Sequence, residues 1–276
     1  MSTAEGDEQD LTRKQRREQA RARRRELEQQ QAASALRRTR LIQLGIVAAI
    51  VVAVIIGIVV ATGGGSKKGL AVGKKQQSAV VTEVSSLVGG IPQNGDTLGS
   101  PSAPVTLQYF GDLECPVCRE FTLGALRPLI ESYVRPGRLK IEYRSFQTAT
   151  REPETFRAQQ IAVLAAGKQK KAWYYIELFY HQQGEENTGY VTESYLQALA
   201  QQVPGLNLAK WRSDRSDPEL ANAVTTTDAQ AANNYGFTGT PSFALGKTGT
   251  TLQKFEAASF TDPASFVAGI EAATKA

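Results

Sequence analysis

The sequence predicts an α/β domain, in the order β-α-β, a helical block, then β-β-α, carried behind a single transmembrane helix. Three observations lead there. One uninterrupted apolar run occupies 41–61, β-branched and aromatic segments begin at Val105, and apolar stripes at helical spacing, punctuated by Pro and Gly, fill 152–235. The 276 residues, 41% of them apolar, suffice for one large domain with tails and exclude wholesale disorder. Two cysteines and one histidine exclude a disulfide-rich scaffold and a four-ligand zinc site.

The net charge of +5 is unevenly placed. Residues 1–40 carry 11 Lys+Arg against 7 acids, whereas 91–276 carry 17 against 19. The basic surplus therefore belongs to the N-terminal tail and to Lys67, Lys68, Lys74 and Lys75, which argues against nucleic acid as a partner of the domain. The run at 41–61 has 21 residues, no charge and one polar side chain, Gln43. At about 1.5 Å per residue a helix of that length matches the roughly 30 Å hydrocarbon core of a bilayer. The dense cations before it predict a cytoplasmic tail at 1–40 and an extracytoplasmic remainder. A cleaved signal peptide is the alternative, disfavoured by the length of the run and of the segment before it. Residues 62–90, rich in Gly, Ser, Lys and Val, read as a flexible stalk, and 91–276 as the folded domain.

Within that domain, 105–110 reads as a strand and Gly111-Asp112-Leu113-Glu114 as a turn into a helix beginning at Cys115, with Pro116 at the first helical position. Phe121, Ala125, Leu129 and Tyr133 recur at helical spacing, Pro128 predicts a kink, and Pro136-Gly137 stops the helix. Residues 139–146 alternate as a second strand. Helices follow, with Thr192 as an N-cap, Asp217-Pro218-Glu219 as a start and Gly236 as a stop. Strands at 242–245 and 250–256 and a final helix with Phe266 and Ile270 inward complete the order.

Cys115-Pro116-Val117-Cys118 is the sharpest chemical signal. Two thiols one helical turn apart can close a disulfide with little rearrangement. Cys115, among the unpaired amides and positive dipole of a helix start, is favoured as thiolate, the form that attacks disulfides. Cys118, one turn inward, is expected to be more buried and to act as the resolving thiol. A static short-loop disulfide is the alternative. The second signal is Gly239-Thr240-Pro241 just before a strand, where the X-Pro bond is a candidate cis peptide and an ordinary trans turn proline the alternative. His181 reads as a surface or hydrogen-bonded histidine, and Gly63-Gly64-Gly65-Ser66-Lys67 lacks the spacing of a phosphate loop.

Asp112-Leu113-Glu114-Cys115-Pro116-Val117-Cys118 after a strand, followed far downstream by Gly239-Thr240-Pro241, resembles the DsbA-like thiol–disulfide oxidoreductases. The lead-in Ile91-Pro92, Leu98-Gly99 and Ala103-Pro104-Val105 is similar to that of membrane-anchored Gram-positive members. The resemblance implies a thioredoxin-like fold with a helical domain inserted at about 150–216. It also implies Cys115 as attacking thiol, Cys118 as resolving thiol and Thr240-Pro241 as a cis-Pro loop facing them. It implies no cofactor beyond the Cys115–Cys118 redox pair, exported proteins with thiols as substrates, and a quinone-linked membrane oxidase as redox partner. One departure stands out: a family oxidase has His inside the motif, where this chain has Val117. Glu114 and Asp112, as neighbouring carboxylates, are expected to oppose thiolate formation and weaken the oxidant. The competing expectations are a reductase or isomerase of the same fold, and a non-catalytic membrane-tethered peptide-binding module.

Overall fold

A computed structural model describes residues 74–275. The tail at 1–40, the apolar run at 41–61 and the first part of the segment read as a stalk lie outside the described residues.

Six strands form one sheet in the order β1-β2-β4-β3-β5-β6. These are β1 Gln93–Asn94, β2 Thr97–Leu98, β3 Val105–Gly111, β4 Leu139–Ser145, β5 Ser242–Lys247 and β6 Gln253–Phe255. β3 and β4 run parallel, with Tyr109 opposite Tyr143, and the other neighbours are antiparallel. β3 is buried along its whole length, because both faces of the sheet are covered. On β4 the alternation holds: Leu139, Ile141, Tyr143 and Ser145 are buried, while Lys140, Glu142 and Arg144 reach toward solvent. Residues 250–252, expected in the last strand, lie before β6.

The stretch expected as a flexible stalk is corrected in its second half. Lys74–Val88 is a helix, α1, that buries Val84, Leu87 and Val88. Its last carbonyls have a dedicated donor: the Arg135 guanidinium bonds the carbonyls of Ser86, Leu87 and Gly89 at 3.0, 2.7 and 3.1 Å. The folded domain thus begins well before residue 91.

The helix of the cysteine motif, α2, is Pro116–Leu123, with Cys115 as its N-cap rather than its first residue. The kink expected at Pro128 appears as a break at Gly124, followed by α3 Leu126–Leu129 and a π-helical turn Ile130–Val134. Pro128 lacks the amide that would bond the Gly124 carbonyl four residues earlier, so the ladder opens there. Gly124 also lies where a Cβ would stand only 3.0 Å from the Thr261 Cα, so chain approach as well as proline sets the break.

Helices α4 Pro153–Gly167, α5 Ala172–His181, α6 Glu193–Gln202 and α7 Leu208–Asp214 form the insert, and α8 Pro218–Tyr235 leads back to the sheet. α5 buries every residue from Ala172 to Tyr180 except Tyr174, as suits a helix at the centre of a bundle. The expected caps are present: Thr192 accepts from the Tyr195 amide, Asp217 from the Glu219 amide, and Gly236 ends α8 at φ 61°. α9, Ala264–Lys275, buries Phe266 and Ile270.

Four rings tie these elements together. Phe121 of α2 packs edge-on against Tyr109 of β3 and Phe243 of β5, with centroids 4.9 and 4.7 Å apart, and lies 5.2 Å from Phe266 of α9. Such pairs contribute about 0.5–1.5 kcal/mol each beyond their burial. A smaller cluster of Phe110, Phe146, Phe237 and Leu252 lies apart from this main core. Because Tyr109 and Phe110 alternate on β3, they serve these two clusters separately.

Candidate active site

Cys115 is placed by the end of β3, the turn 111–114 and the start of α2. Its backbone is extended, at φ −69° and ψ 119°, and its Sγ accepts the Cys118 amide at 3.4 Å. Both cysteines are free thiols. Cys115 is 5% exposed and Cys118 wholly buried. Hydrogen bonding to Cys118, to the Thr240 side chain and to the amides of Cys118 and Val117 outweighs burial and lowers the Cys115 thiol to about 6. For Cys118, burial and the neighbouring Cys115 raise the thiol well above its ordinary range. Pro116 is exposed and Val117 half-buried at the surface of the helix start.

The second signal meets the first. The Thr240–Pro241 peptide is cis, and Cys115 Sγ donates to the Thr240 carbonyl at 3.4 Å. Pro241 is buried, and a groove of about 290 Å³ runs beside it, lined by Phe237, Thr240, Phe243, Phe255 and Phe260.

Asp112 and Glu114 behave differently from expectation. The Asp112 carboxylate is fully buried and turned to the loop 148–150. It accepts the amides of Thr148, Ala149 and Thr150 at 3.1, 2.9 and 2.8 Å, the Thr150 hydroxyl at 2.5 Å and the Glu114 amide at 3.1 Å. Glu114 accepts the Asn187 amide at 3.3 Å, and burial raises its carboxyl above the usual range. The carboxylates therefore brace loops, and the expected opposition to the Cys115 thiolate is not what sets its lowered value.

Several contributors carried no sequence signal. Gln183, just past α5, donates its Nε2 to the carbonyls of Leu113 and Cys115 at 2.7 and 3.1 Å, steadying the motif from the insert. Thr148 meets Thr240 through their hydroxyl oxygens, 2.5 Å apart. Asn187, at φ 59°, holds Ala149 and Arg151; Asn followed by Thr188-Gly189 is turn chemistry, but nothing in it points to cysteines. Tyr109 and Tyr180 form a buried pair beneath Cys118: Tyr109 donates to Tyr180 at 3.1 Å and Tyr180 to the Asp112 carbonyl at 3.2 Å. His181 is half-buried at the end of α5, and burial lowers its imidazole below the usual range. Among the described residues no group of three or more His, Cys, Asp or Glu is placed to hold a metal ion.

A family model described as thioredoxin matches residues 93–259, more than half of the chain, including both cysteines and the Thr240–Pro241 peptide. The chain belongs to the thioredoxin family. Within that family it is similar to the probable disulfide bond formation protein D of Bacillus cereus. The two are 24% identical over 147 residues, covering 53% of this chain and 67% of that one. The protein of the same name from Bacillus anthracis is 25% identical over the same shares. Among solved structures, oxidised BdbD from Bacillus subtilis superposes with a TM-score of 0.55 at 20% identity, covering 69% of this chain and 99% of that one. Wolbachia pipientis alpha-DsbA1 gives 0.55 at 16% identity, covering 65% and 90%. The fold is the thioredoxin-like one with a helical insert, and the chain is a DsbA-like protein-disulfide oxidoreductase whose redox pair is Cys115 and Cys118.

Proposed function

We propose that this thioredoxin-family chain is anchored by the segment at 41–61 with its domain outside the cytoplasm, and that it works as an oxidant, forming disulfides in exported proteins. The observation that carries the direction is the asymmetry of the pair: a Cys115 thiol lowered to about 6 beside a Cys118 thiol raised well above its ordinary range. Whatever stabilises the thiolate stabilises the reduced enzyme and makes its disulfide a stronger oxidant; about 30 mV corresponds to roughly 1.4 kcal/mol for a two-electron couple.

In this reading a substrate thiolate attacks Cys115 Sγ of the Cys115–Cys118 disulfide. The new S–S bond forms as the old one breaks, and Cys118 leaves with the electron pair and takes up a proton. A second substrate thiolate then attacks the substrate sulfur of the mixed disulfide and expels Cys115 as a thiolate, a good leaving group because its proton affinity is low. The substrate loses two electrons and the enzyme gains them. Thr240, whose carbonyl already reaches Cys115, offers backbone hydrogen bonds to an extended substrate, and the groove beside Pro241 takes its neighbouring apolar side chains. Reoxidation falls to a quinone-linked membrane oxidase, which the anchor keeps in the same plane.

A reductase or isomerase of the same fold is the second reading, favoured by Val117, which offers the thiolate no charge. Titration against glutathione separates the two: the oxidant equilibrates at a potential above about −180 mV, and a value near −270 mV overturns the direction. Protease accessibility of the domain in intact cells tests the placement outside the cytoplasm.

A further inference from the structure

Gln183 follows α5 at the edge of the insert, and its side-chain amide is spent on the cysteine motif. Its Nε2 donates to the Leu113 carbonyl at 2.7 Å and to the Cys115 carbonyl at 3.1 Å. The amide is fixed in that sense, because turned over it would set its own oxygen against two carbonyl oxygens. The insert holds Gln183 in turn. Its neighbour Gln182 is buried, exchanges side-chain amide bonds with Gln202 of α6 at 3.0 and 3.2 Å, and accepts the Tyr195 hydroxyl on its carbonyl at 3.1 Å.

Pro116 makes this clamp matter. A peptide unit is ordinarily held through both its N–H and its C=O, but the unit between Cys115 and Pro116 has no N–H. Its one anchor is the Cys115 carbonyl, which accepts Gln183 and, at 3.2 Å, the Arg119 amide. The unit before it is tied by the Cys115 amide, which donates to the Asp112 carbonyl at 3.0 Å, and the unit before that by Gln183 at Leu113. Among the described residues no other side chain bonds a carbonyl between 113 and 116. Cys115 is thereby kept at φ −69° and ψ 119°, the extended backbone favoured before proline. From there its Sγ reaches the Cys118 amide and the Thr240 carbonyl, each at 3.4 Å.

We infer that Gln183 is a positioning residue for thiol exchange: by clamping the Leu113 and Cys115 carbonyls it lets the helical insert hold the Cys115 sulfur at the mouth of α2. This rests on the exchange reading above and gives the insert a part in it. In exchange Cys115 is bonded to Cys118, then to substrate, then to neither. With its backbone clamped, the sulfur changes partner by turning about its own side chain. Without Gln183 the unit before Pro116 keeps only the longer bond to Arg119, and its tilt carries Sγ away from the amides that favour its charge.

The test is the thiolate absorbance titration of the reduced full-length chain in detergent micelles. The Cys118 thiol is raised well above its ordinary range, so the first transition belongs to Cys115. Gln183→Met keeps the length of the half-buried side chain and removes the donor. It removes no charge, yet it should raise the first transition by about half a pH unit or more. Gln183→Glu keeps the shape and sets a carboxylate against the two carbonyls, and should raise it further. A rise in Gln183→Glu with Gln183→Met unmoved is charge repulsion alone and overturns the inference. A lowered unfolding midpoint of Gln183→Met with the transition in place is a purely structural role and overturns it too. A natural chain whose first transition lies near about 8.5, the ordinary thiol range, overturns the exchange reading itself.

Discussion

The mouth of α2 and its interior lie three residues apart and treat the same side chain in opposite ways. At the mouth, Cys115 meets Cys118, the Thr240 side chain and the amides of Cys118 and Val117, and its thiol is lowered to about 6. One turn inward, Cys118 lies among Tyr109, Phe121 and Tyr180, where no cation answers a negative sulfur and the proton is held. Hydrogen bonds at a helix start, set against burial one turn inward, therefore convert two chemically identical thiols into a nucleophile and a reserve. The order of events in exchange follows from that gradient.

The comparison breaks most completely if the mouth is not the reacting end. Cys115→Ser should abolish oxidase activity on a reduced, unfolded substrate. Cys118→Ala should leave Cys115 able to form mixed disulfides with substrate and retard their resolution, so that adducts accumulate on non-reducing gels. Adducts at Cys118 in Cys115→Ser instead would reverse the assignment.

The interior is probed next by Phe121→Ala. Removing a fully buried ring shared by β3, β5 and α9 should cost about 3–5 kcal/mol by denaturant unfolding. Water admitted beside Cys118 should also narrow the gap between the two thiol titrations. An unchanged gap would mean that burial is not what holds the Cys118 proton. A smaller effect follows from pH. A depressed thiol stabilises the reduced fold fully above the ordinary thiol range and loses that contribution as pH falls through about 6. The unfolding midpoint of the reduced protein should fall relative to the oxidised one between about pH 9 and pH 6, whereas parallel curves would refute the lowered value.

How much of this was readable from the chain depends on how local each cause is. The cysteine motif, its proline and the strand before it are contiguous, and the alternation on β4 and the caps at Thr192, Asp217 and Gly236 depend only on near neighbours. What escaped is what folding brings from afar. Gln183 and Thr148 reach the motif across the insert and the sheet, and neither has a distinctive sequence setting. Asp112 and Glu114 were misread because adjacency in sequence says nothing about where a carboxylate points; both point into loops that begin more than thirty residues later. The β1–β2 hairpin, two residues per strand, is too short for any periodic signal. Helix α1 hid behind a Gly- and Ser-rich approach, although Val84, Leu87 and Val88 already stood at helical spacing.

Glu177 supplies a control for the largest claim. It is fully buried on α5, and neither carboxyl oxygen has a hydrogen-bond partner among the described residues. Burial pushes its carboxyl up to about 8; Arg127 pulls it down, but that guanidinium is engaged by Glu83 at the surface, which pushes the other way. Burial thus acts here with little local compensation, as it does at Cys118 and as it does not at Cys115. A carboxyl raised in this way contributes stability that is intact below about 4.3, its unfolded value, and is lost as pH rises through about 8. Glu177→Gln, which cannot ionise, should flatten the decline in unfolding midpoint between those limits and leave the Cys115 titration where it was. If the decline persists unchanged, burial in this core does not hold protons as strongly as claimed, and the high value assigned to Cys118 loses its physical basis as well.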